Sequence, residues 1–415
     1  MAGPVAAPES GALPSRGAPL RAPAGLDWRA ACLLGLVSST FSTLVSQLAA
    51  ARIGRDAAVD WMVVAAIPFR DPALQADPGW PAILGGILFH QWADLSWAVV
   101  FFGLLGRWTA GLRPGVLLAL ALPWALLTSA SEWLLLVPAI PFRQPIFTLE
   151  QPYWIGFLVH VTSALCYPLF PWLRDRLARR PSPNARAAGL WAWLAGGFAL
   201  ALSVLAALGA QGREWPWAGR DRAGDQAFMR RMASHHAQGI VLARLAAERA
   251  RDPHLRALAR LIAAAQAGEV AILDQWWRSW FDSPLAVCGP RERAAMPGML
   301  GEAEIDGLAR AAPDAFDAAF VRLMTAHHRG AIAMADAALR GAGDLRVRLM
   351  AQAIRHNQRG EIELMRGREG LAATAAAIGN LVARLGAAPA DGDQDPAPGA
   401  PQRAELPRAV LPQDP

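Results

Sequence analysis

The sequence predicts an all-α protein in two parts: a polytopic transmembrane helical domain followed by a four-helix bundle made of two repeated helical hairpins. Three observations carry this. Five apolar segments, each about the twenty residues a bilayer requires, lie before residue 211. After that point the chain turns charged, Arg-rich and helically periodic. Beyond residue 211 a single motif also occurs twice: Asp225-x-x-Phe228-x-x-x-Met232-x-x-His235-His236-x-x-x-Ile240 returns as Asp317-x-x-Phe320-x-x-x-Met324-x-x-His327-His328-x-x-x-Ile332. Each copy runs on to Gln-x-x-Glu, at Gln266 and Glu269 and again at Gln358 and Glu361. Matched residues are always 92 positions apart, as His235 is from His327. Self-similarity at a fixed offset marks a duplicated structural unit.

The elements follow in order. Residues 1–27, rich in Pro, Ala and Gly, are expected to be a disordered tail. Residues 28–210 form the membrane domain, with spans near 30–50, 82–105, 115–137, 153–173 and 187–210. The first span is diluted by Ser38, Ser39, Thr40, Ser42, Thr43, Ser46 and Gln47, and a signal segment cleaved near Ala49-Ala50-Ala51 competes with it. The long leader and the spans that follow favour a retained helix. Arg174, Arg176, Arg179, Arg180 and Arg186 crowd the loop after the fourth span, which the positive-inside bias puts in the cytoplasm. Arg16, Arg21, Arg29, Arg107 and Arg113 then lie inside too, and only Arg52, Arg55, Arg70 and Arg143 occupy the outer loops. Residues 211–386 are thereby expected outside an inner (cytoplasmic) membrane, facing the periplasm or cell exterior.

That outer domain reads as helices near 222–249, 254–281, 314–340 and 344–370, interrupted at Asp282-Ser283-Pro284 and Met296-Pro297-Gly298. Residues 387–415, with Pro396, Pro398, Pro401, Pro407, Pro412 and Pro415, form a second disordered tail.

Composition narrows the function. A hydrophobic fraction of 54% with 18% charged residues leans towards a membrane protein. All basic residues are arginine, so no lysine serves as nucleophile or Schiff base. The net charge of +6 is spread between span flanks and helix faces, which argues against nucleic acid as a partner. Cys32, Cys166 and Cys288 have no paired spacing, so neither a zinc knuckle nor a disulfide framework is indicated. No Walker A, H-E-x-x-H or nucleophile-elbow motif is present, and no Cys-Pro-Cys lies in a span.

The repeated residues suit a metal. Met232 precedes His235 and His236 by three and four positions, so the three project from adjacent helical turns, and Met324, His327 and His328 do the same. Gln266 and Glu269 share a face, as do Gln358 and Glu361. Thioether sulfur is soft and stabilises Cu(I), while imidazole accepts either copper oxidation state. Copper is therefore the expected metal, with silver, iron and zinc as alternatives. Eight of the ten methionines fall in this domain, and Met229 and Met350 among them read as core filler. Glu269 and Glu361 have two readings, direct ligand or orienting group behind an imidazole.

The two copies resemble the family catalogued as domain of unknown function 305, over about residues 221–370. The Met-x-x-His-His and Gln-x-x-Glu motifs, Ala331-Ile332-Ala333-Met334-Ala335 and Met296-Pro297-Gly298-Met299 carry the resemblance. It implies a ferritin-like four-helix fold and a role in binding or tolerating copper outside the cytoplasm. Leu242 and Leu273 stand where the second copy has Met334 and Met365, which adds those two methionines to the candidate ligands of the second half.

A second constellation lies in the spans. His90 and Asp94 are four apart on one helix, and Glu132 and His160 lie on the next two. With the topology above, His90, Glu132 and His160 sit about 8 to 12 Å below the outer boundary, and Asp94 one turn deeper. Ionisable groups in lipid are costly and mark sites or pathways, although a polar network fastening the helices reads equally well.

The leading functional expectation is a membrane-anchored, non-enzymatic protein that captures copper or silver for homeostasis or resistance. A ferritin-like metal oxidase and a metal transporter or relay using His90, Asp94, Glu132 and His160 are the alternatives. Expected partners are the metal ion and the bilayer, with a second copy of the helical domain as a further candidate.

Overall fold

The computed structural model describes residues 24–139, 142–143, 145–214 and 219–383. Among these every regular element is helical. The tail predicted at 387–415 lies outside the described residues, as does the first tail up to residue 23. Residues 24–27, expected in that tail, instead begin the first helix.

The N-terminal half contains α1 (Ala24–Ala49), α2 (Ala57–Phe69), α3 (Trp80–Val99), α4 (Pro114–Ser131), α5 (Pro145–Glu150), α6 (Tyr153–Ala164), α7 (Phe170–Leu177) and α8 (Ala185–Ala210). Five helical stretches among the described residues are long and apolar enough to cross a membrane: Gly25–Ile53, Trp80–Leu104, Pro114–Leu136, Tyr153–Leu177 and Ala185–Ala210. Each covers one predicted span. They pack through an aromatic core in which Phe102 stacks on Phe170 with ring centroids 3.9 Å apart. The outward surface stays apolar, with Leu88, Trp193, Leu194 and Leu200 exposed.

Two short helices of this half were not expected. In α2, Asp56 caps the N-terminus by accepting from the amides of Ala58 and Val59 at 2.8 and 3.2 Å. It stops at Arg70, whose φ of 57° cannot continue a helix. The other is α5, and both lie at the end of the N-terminal half that meets the C-terminal half.

The C-terminal half contains α9 (Ala223–Arg249), α10 (Pro253–Phe281), α11 (Pro313–Gly341), α12 (Leu345–Met365) and α13 (Gly370–Val382). Asp252 and Asp344 cap α10 and α12 from matched positions, each accepting from the amide two residues on. The helix expected over 344–370 ends at Met365, because Gly367 turns the chain at a φ of 70°, and α13 then follows. Helices α9 and α10 pack as one hairpin, α11 and α12 as another, and α9 lies against α11.

Two apolar cores flank the middle of these helices. One gathers Phe228, Met232, Leu273, Trp276, Ala335 and Ile354. The other gathers Leu242, Leu258, Phe320, Met324 and Leu364, and it continues into the N-terminal half through Met62, Val63, Ile146 and Leu149. Burying each such aliphatic side chain contributes roughly 1.5–3 kcal/mol, so the two halves share a core instead of merely touching.

Two glycines permit that contact. A Cβ on Gly268 would fall 2.6 Å from Cβ of Asp56, and one on Gly360 would fall 2.0 Å from the carbonyl oxygen of Leu149. Gly268 and Gly360 are themselves repeat-matched, each just before the glutamate of its Gln-x-x-Glu. The N-terminal half therefore seats on the same position of both copies.

Candidate metal centre

Between the two apolar cores lies a layer of buried polar side chains supplied by both copies. His235, His236, His327 and His328 are fully buried, and Gln266, Gln358, Glu269 and Glu361 are buried with them. The rings of His235 and His327 lie 3.8 Å apart between centroids, where α9 crosses α11. Met232 belongs to the core on one side of the layer and Met324 to the core on the other. The repeat thus brackets the histidines with one thioether on each side.

Hydrogen bonds fix two of the rings. His235 Nε2–H donates to the Pro297 carbonyl at 3.1 Å, and His327 Nε2–H donates to the His235 carbonyl at 3.1 Å. A carbonyl only accepts, so both rings carry their proton on Nε2 and keep a bare Nδ1. Neither Nδ1 has a hydrogen-bond partner.

The other two rings face carboxylates. His236 Nε2 lies 2.7 Å from Glu269 Oε2, and His328 Nε2 lies 2.7 Å from Glu361 Oε2. Neither ring nitrogen meets the alignment of a hydrogen bond despite the distance. Two donors held near 3 Å without a shared proton are spaced as neighbouring ligands of one cation would be, given metal–ligand bonds of about 2.0–2.1 Å. Gln266 also leaves both amide atoms unpartnered. Leaving so many buried polar atoms without partners is costly, and this concentration fits a bound metal. Among the described residues no three His, Cys, Asp or Glu side chains already close on one point; the layer is built of pairs.

Burial sets the charge state. It pushes His235 down to about 3, helped by His236, and pushes His328 down to about 3 with the same neighbour. It also drives His327 well below its usual range, with His235 next in effect. Neutral imidazoles are the form that binds metal. Burial and then Glu269 raise Glu361 well above the carboxylate range, a shift that a nearby cation would reverse.

Met334 and Met365 are not brought together. Met334 sits at the edge of the Trp276–Met350 core, whereas Met365 lies at the far end of the other core, beside His254 and Asp317 on a surface cleft. Residues that the sequence does not single out also face the layer. Arg55 pairs with Asp60 (Nη2 to Oδ1 2.6 Å), and Glu150 on α5 is fully buried with no partner for either oxygen. His356, one turn before Gly360, is held neutral by burial and by Arg55, at about 3. None of the three has a repeat counterpart; the duplicated Gly before each glutamate was the available signal.

The candidates in the N-terminal half form two hydrogen-bonded groups. Ser42 donates to Asp94 at 2.6 Å and lies 3.0 Å from His90 Nε2. His160 Nε2 lies 3.1 Å from Glu132 Oε2, Thr128 lies 2.9 Å from His160 Nδ1, and the Trp97 indole donates to Glu132. Glu132 starts a π-helical turn, Glu132–Leu136, which re-aims its side chain. His90, Glu132 and His160 line one cavity of about 320 Å³ that also reaches Asp60 and Gln151. Asp94 is buried behind it.

No curated protein matches the chain. A DUF305 fragment from Deinococcus radiodurans is 33% identical, over 35% of this chain and 94% of that one, with a TM-score of 0.32. CopM in the Cu(I)-bound form is 29% identical, over 34% and 93%, with a TM-score of 0.30, and CopM has also been crystallised with Cu(II) and Ag. The model of the family described as Domain of unknown function (DUF305) matches residues 225–368. Residues 225–368 of this chain therefore match the DUF305 family.

Proposed function

We propose that the protein is a multi-pass membrane protein whose C-terminal region, about residues 211–386, is a four-helix bundle of two hairpins that captures copper outside the cytoplasm. The observation that carries this is the buried layer of four histidines with partnerless Nδ1 atoms, bracketed by Met232 and Met324. Neutral imidazole with thioether is the donor set that holds Cu(I), and silver shares its softness. The exposed apolar surface of residues 28–210 supports lipid as its surroundings, since faces of that size are unstable in water. Arg174 reaches both Asp27 (3.7 Å) and the Ala110 carbonyl (2.6 Å), so the arginine-rich loops gather at the end away from the bundle. That arrangement supports an outward bundle under the positive-inside bias.

Metal analysis of the full-length protein in nanodiscs tests the reading. Copper(I) or silver(I) should bind at fixed stoichiometry and be lost when all four histidines become alanine. A wild-type protein that binds neither ion would overturn it.

The cavity lined by His90, Glu132 and His160 favours a second reading, a relay that moves the captured ion onward. Under that reading Glu132→Gln impairs metal tolerance at unchanged protein level; parallel loss of both identifies a packing network.

A further inference from the structure

The histidine layer has two chemically different sides. On the side of the Met296–Pro297 linker stand His235 and His327, tied to carbonyls. On the opposite side stand His236 with Glu269 and His328 with Glu361, on the face where α2 and α5 pack. There the N-terminal half adds its own carboxylate. Gly360 lets the Leu149 carbonyl sit against α12, which delivers Glu150 beside Glu361, the residue after that glycine. Glu150 is fully buried and both its oxygens lack a partner.

The local charge balance is unusual. Arg55 is the cation of this pocket, and its guanidinium is engaged by Asp60 through Nη2 and Nε. The charge of Arg55 also acts on Glu150, Glu269 and Glu361, so these three acids and Asp60 share one arginine and two histidines.

We infer that Glu150 of the N-terminal half completes a composite site for a divalent transition-metal ion, with His236, Glu269, His328 and Glu361 as the remaining donors. This rests on the reading of the bundle as a metal binder and extends it: one layer carries a sulfur-and-imidazole side suited to Cu(I) and an oxygen-and-imidazole side suited to Cu(II). The second site exists only where the two halves meet. On binding, the two closely spaced His–Glu pairs, which do not converge on one point by themselves, become ligands of one ion.

The test uses the full-length protein in nanodiscs, titrated separately with Cu(II) and with Cu(I). Glu150→Gln keeps the shape of the side chain and removes the ionisable oxygen. It should weaken Cu(II) at least about tenfold, change its electron paramagnetic resonance spectrum, and leave Cu(I) affinity within about threefold. Gly360→Ala alters no ligand but pushes α5 away, so it should repeat the Cu(II)-selective loss. Equal loss of both ions in Glu150→Gln would mark a structural role and overturn the inference. So would unchanged Cu(II) binding, or a wild-type protein that binds Cu(I) but not Cu(II). A wild-type protein that binds neither ion fails the broader reading as well, which separates the two.

Discussion

Asp225 and Asp317, matched residues of the two copies, each tie down the hairpin turn of the other copy. Asp317 accepts from the amides of Arg251 and Asp252 at 3.0 Å, and Asp225 accepts from those of Gly343 and Asp344 at 3.0 and 2.9 Å. The amides belong to the residues just before α10 and α12, and each aspartate stands near the start of its own helix, so the starts of two helices are tied together. The crossed arrangement locks the two hairpins together at both ends of the histidine layer.

Replacing either aspartate by alanine should therefore destabilise the protein, by roughly 1–3 kcal/mol where buried amides are left without an acceptor. Asp225 is fully buried, whereas Asp317 serves exposed amides, so Asp225→Ala should cost more. Denaturant unfolding followed by circular dichroism measures both. Equal, negligible losses would show that the apolar cores alone hold the hairpins.

Much of this was legible in the sequence because helical periodicity and the duplication are local signals. The five apolar stretches and the four long helices that follow them fall where the residues put them. What was not legible depends on contacts between distant segments. Glu150 reads as a loop residue until α5 is seen against α12, some two hundred positions later. Gly268 and Gly360 were visible as a repeat, but only the approach of Asp56 and Leu149 shows why a side chain is excluded there. Met334 and Met365 mislead for a similar reason: position in a repeat fixes neither the direction nor the depth of a side chain. Met334 shares a helix face with His327, seven residues earlier, but sits about 10 Å along the axis from it.

That geometry changes the expectation for the two copies. Since Met334 and Met365 lie in separate places, the second copy has no surplus of thioether at the layer. The rings of His235 and His327 lie 3.8 Å apart at a tilt of 31°, and His236 and His328 carry equivalent glutamates. The double changes His235→Ala/His236→Ala and His327→Ala/His328→Ala should thus lower Cu(I) affinity to similar extents, within about fivefold of each other. Competition titration on full-length protein decides it, with circular dichroism confirming that helix content is retained.

The contact between the halves should respond to pH. His254, near the start of α10, lies 3.0 Å from Asp71 of the N-terminal half. That hydrogen bond raises His254 above its usual 6.5, with burial opposing and with Asp252 and Glu369 adding to the effect. A group whose value rises on folding stabilises the folded form fully below its unfolded value, and the contribution disappears as pH climbs through the raised value. The contact should be strongest below about pH 6 and weaken above neutrality. Both side chains are over a third exposed (37% and 34%), so screening keeps the effect below about 1 kcal/mol. Hydrogen exchange at Ala73 and Leu74, next to the Arg260–Leu74 hydrogen bond, should accelerate beyond its intrinsic pH dependence over this window. His254→Gln should remove that excess.

The last expectation concerns which side of the membrane the histidine layer occupies. Arg174 and Arg176 end the fourth apolar stretch, Arg179 and Arg180 follow it, and Arg107 and Arg113 follow the second. The Arg174 bond to the Ala110 carbonyl holds those two loops at one end of the helices. The opposite end carries α2 and α5, where Arg55 is consumed by Asp60 and is not free to bias the topology. Arginine asymmetry of this kind should retain the arginine-rich loops in the cytoplasm, and five spans would then send the chain after residue 211 outward. A reporter active only outside the cytoplasm should work when fused after residue 386 and be silent when fused at residue 181. The opposite pattern would put the metal layer in the cytoplasm and remove the basis for extracytoplasmic capture, while leaving the geometry of the layer untouched.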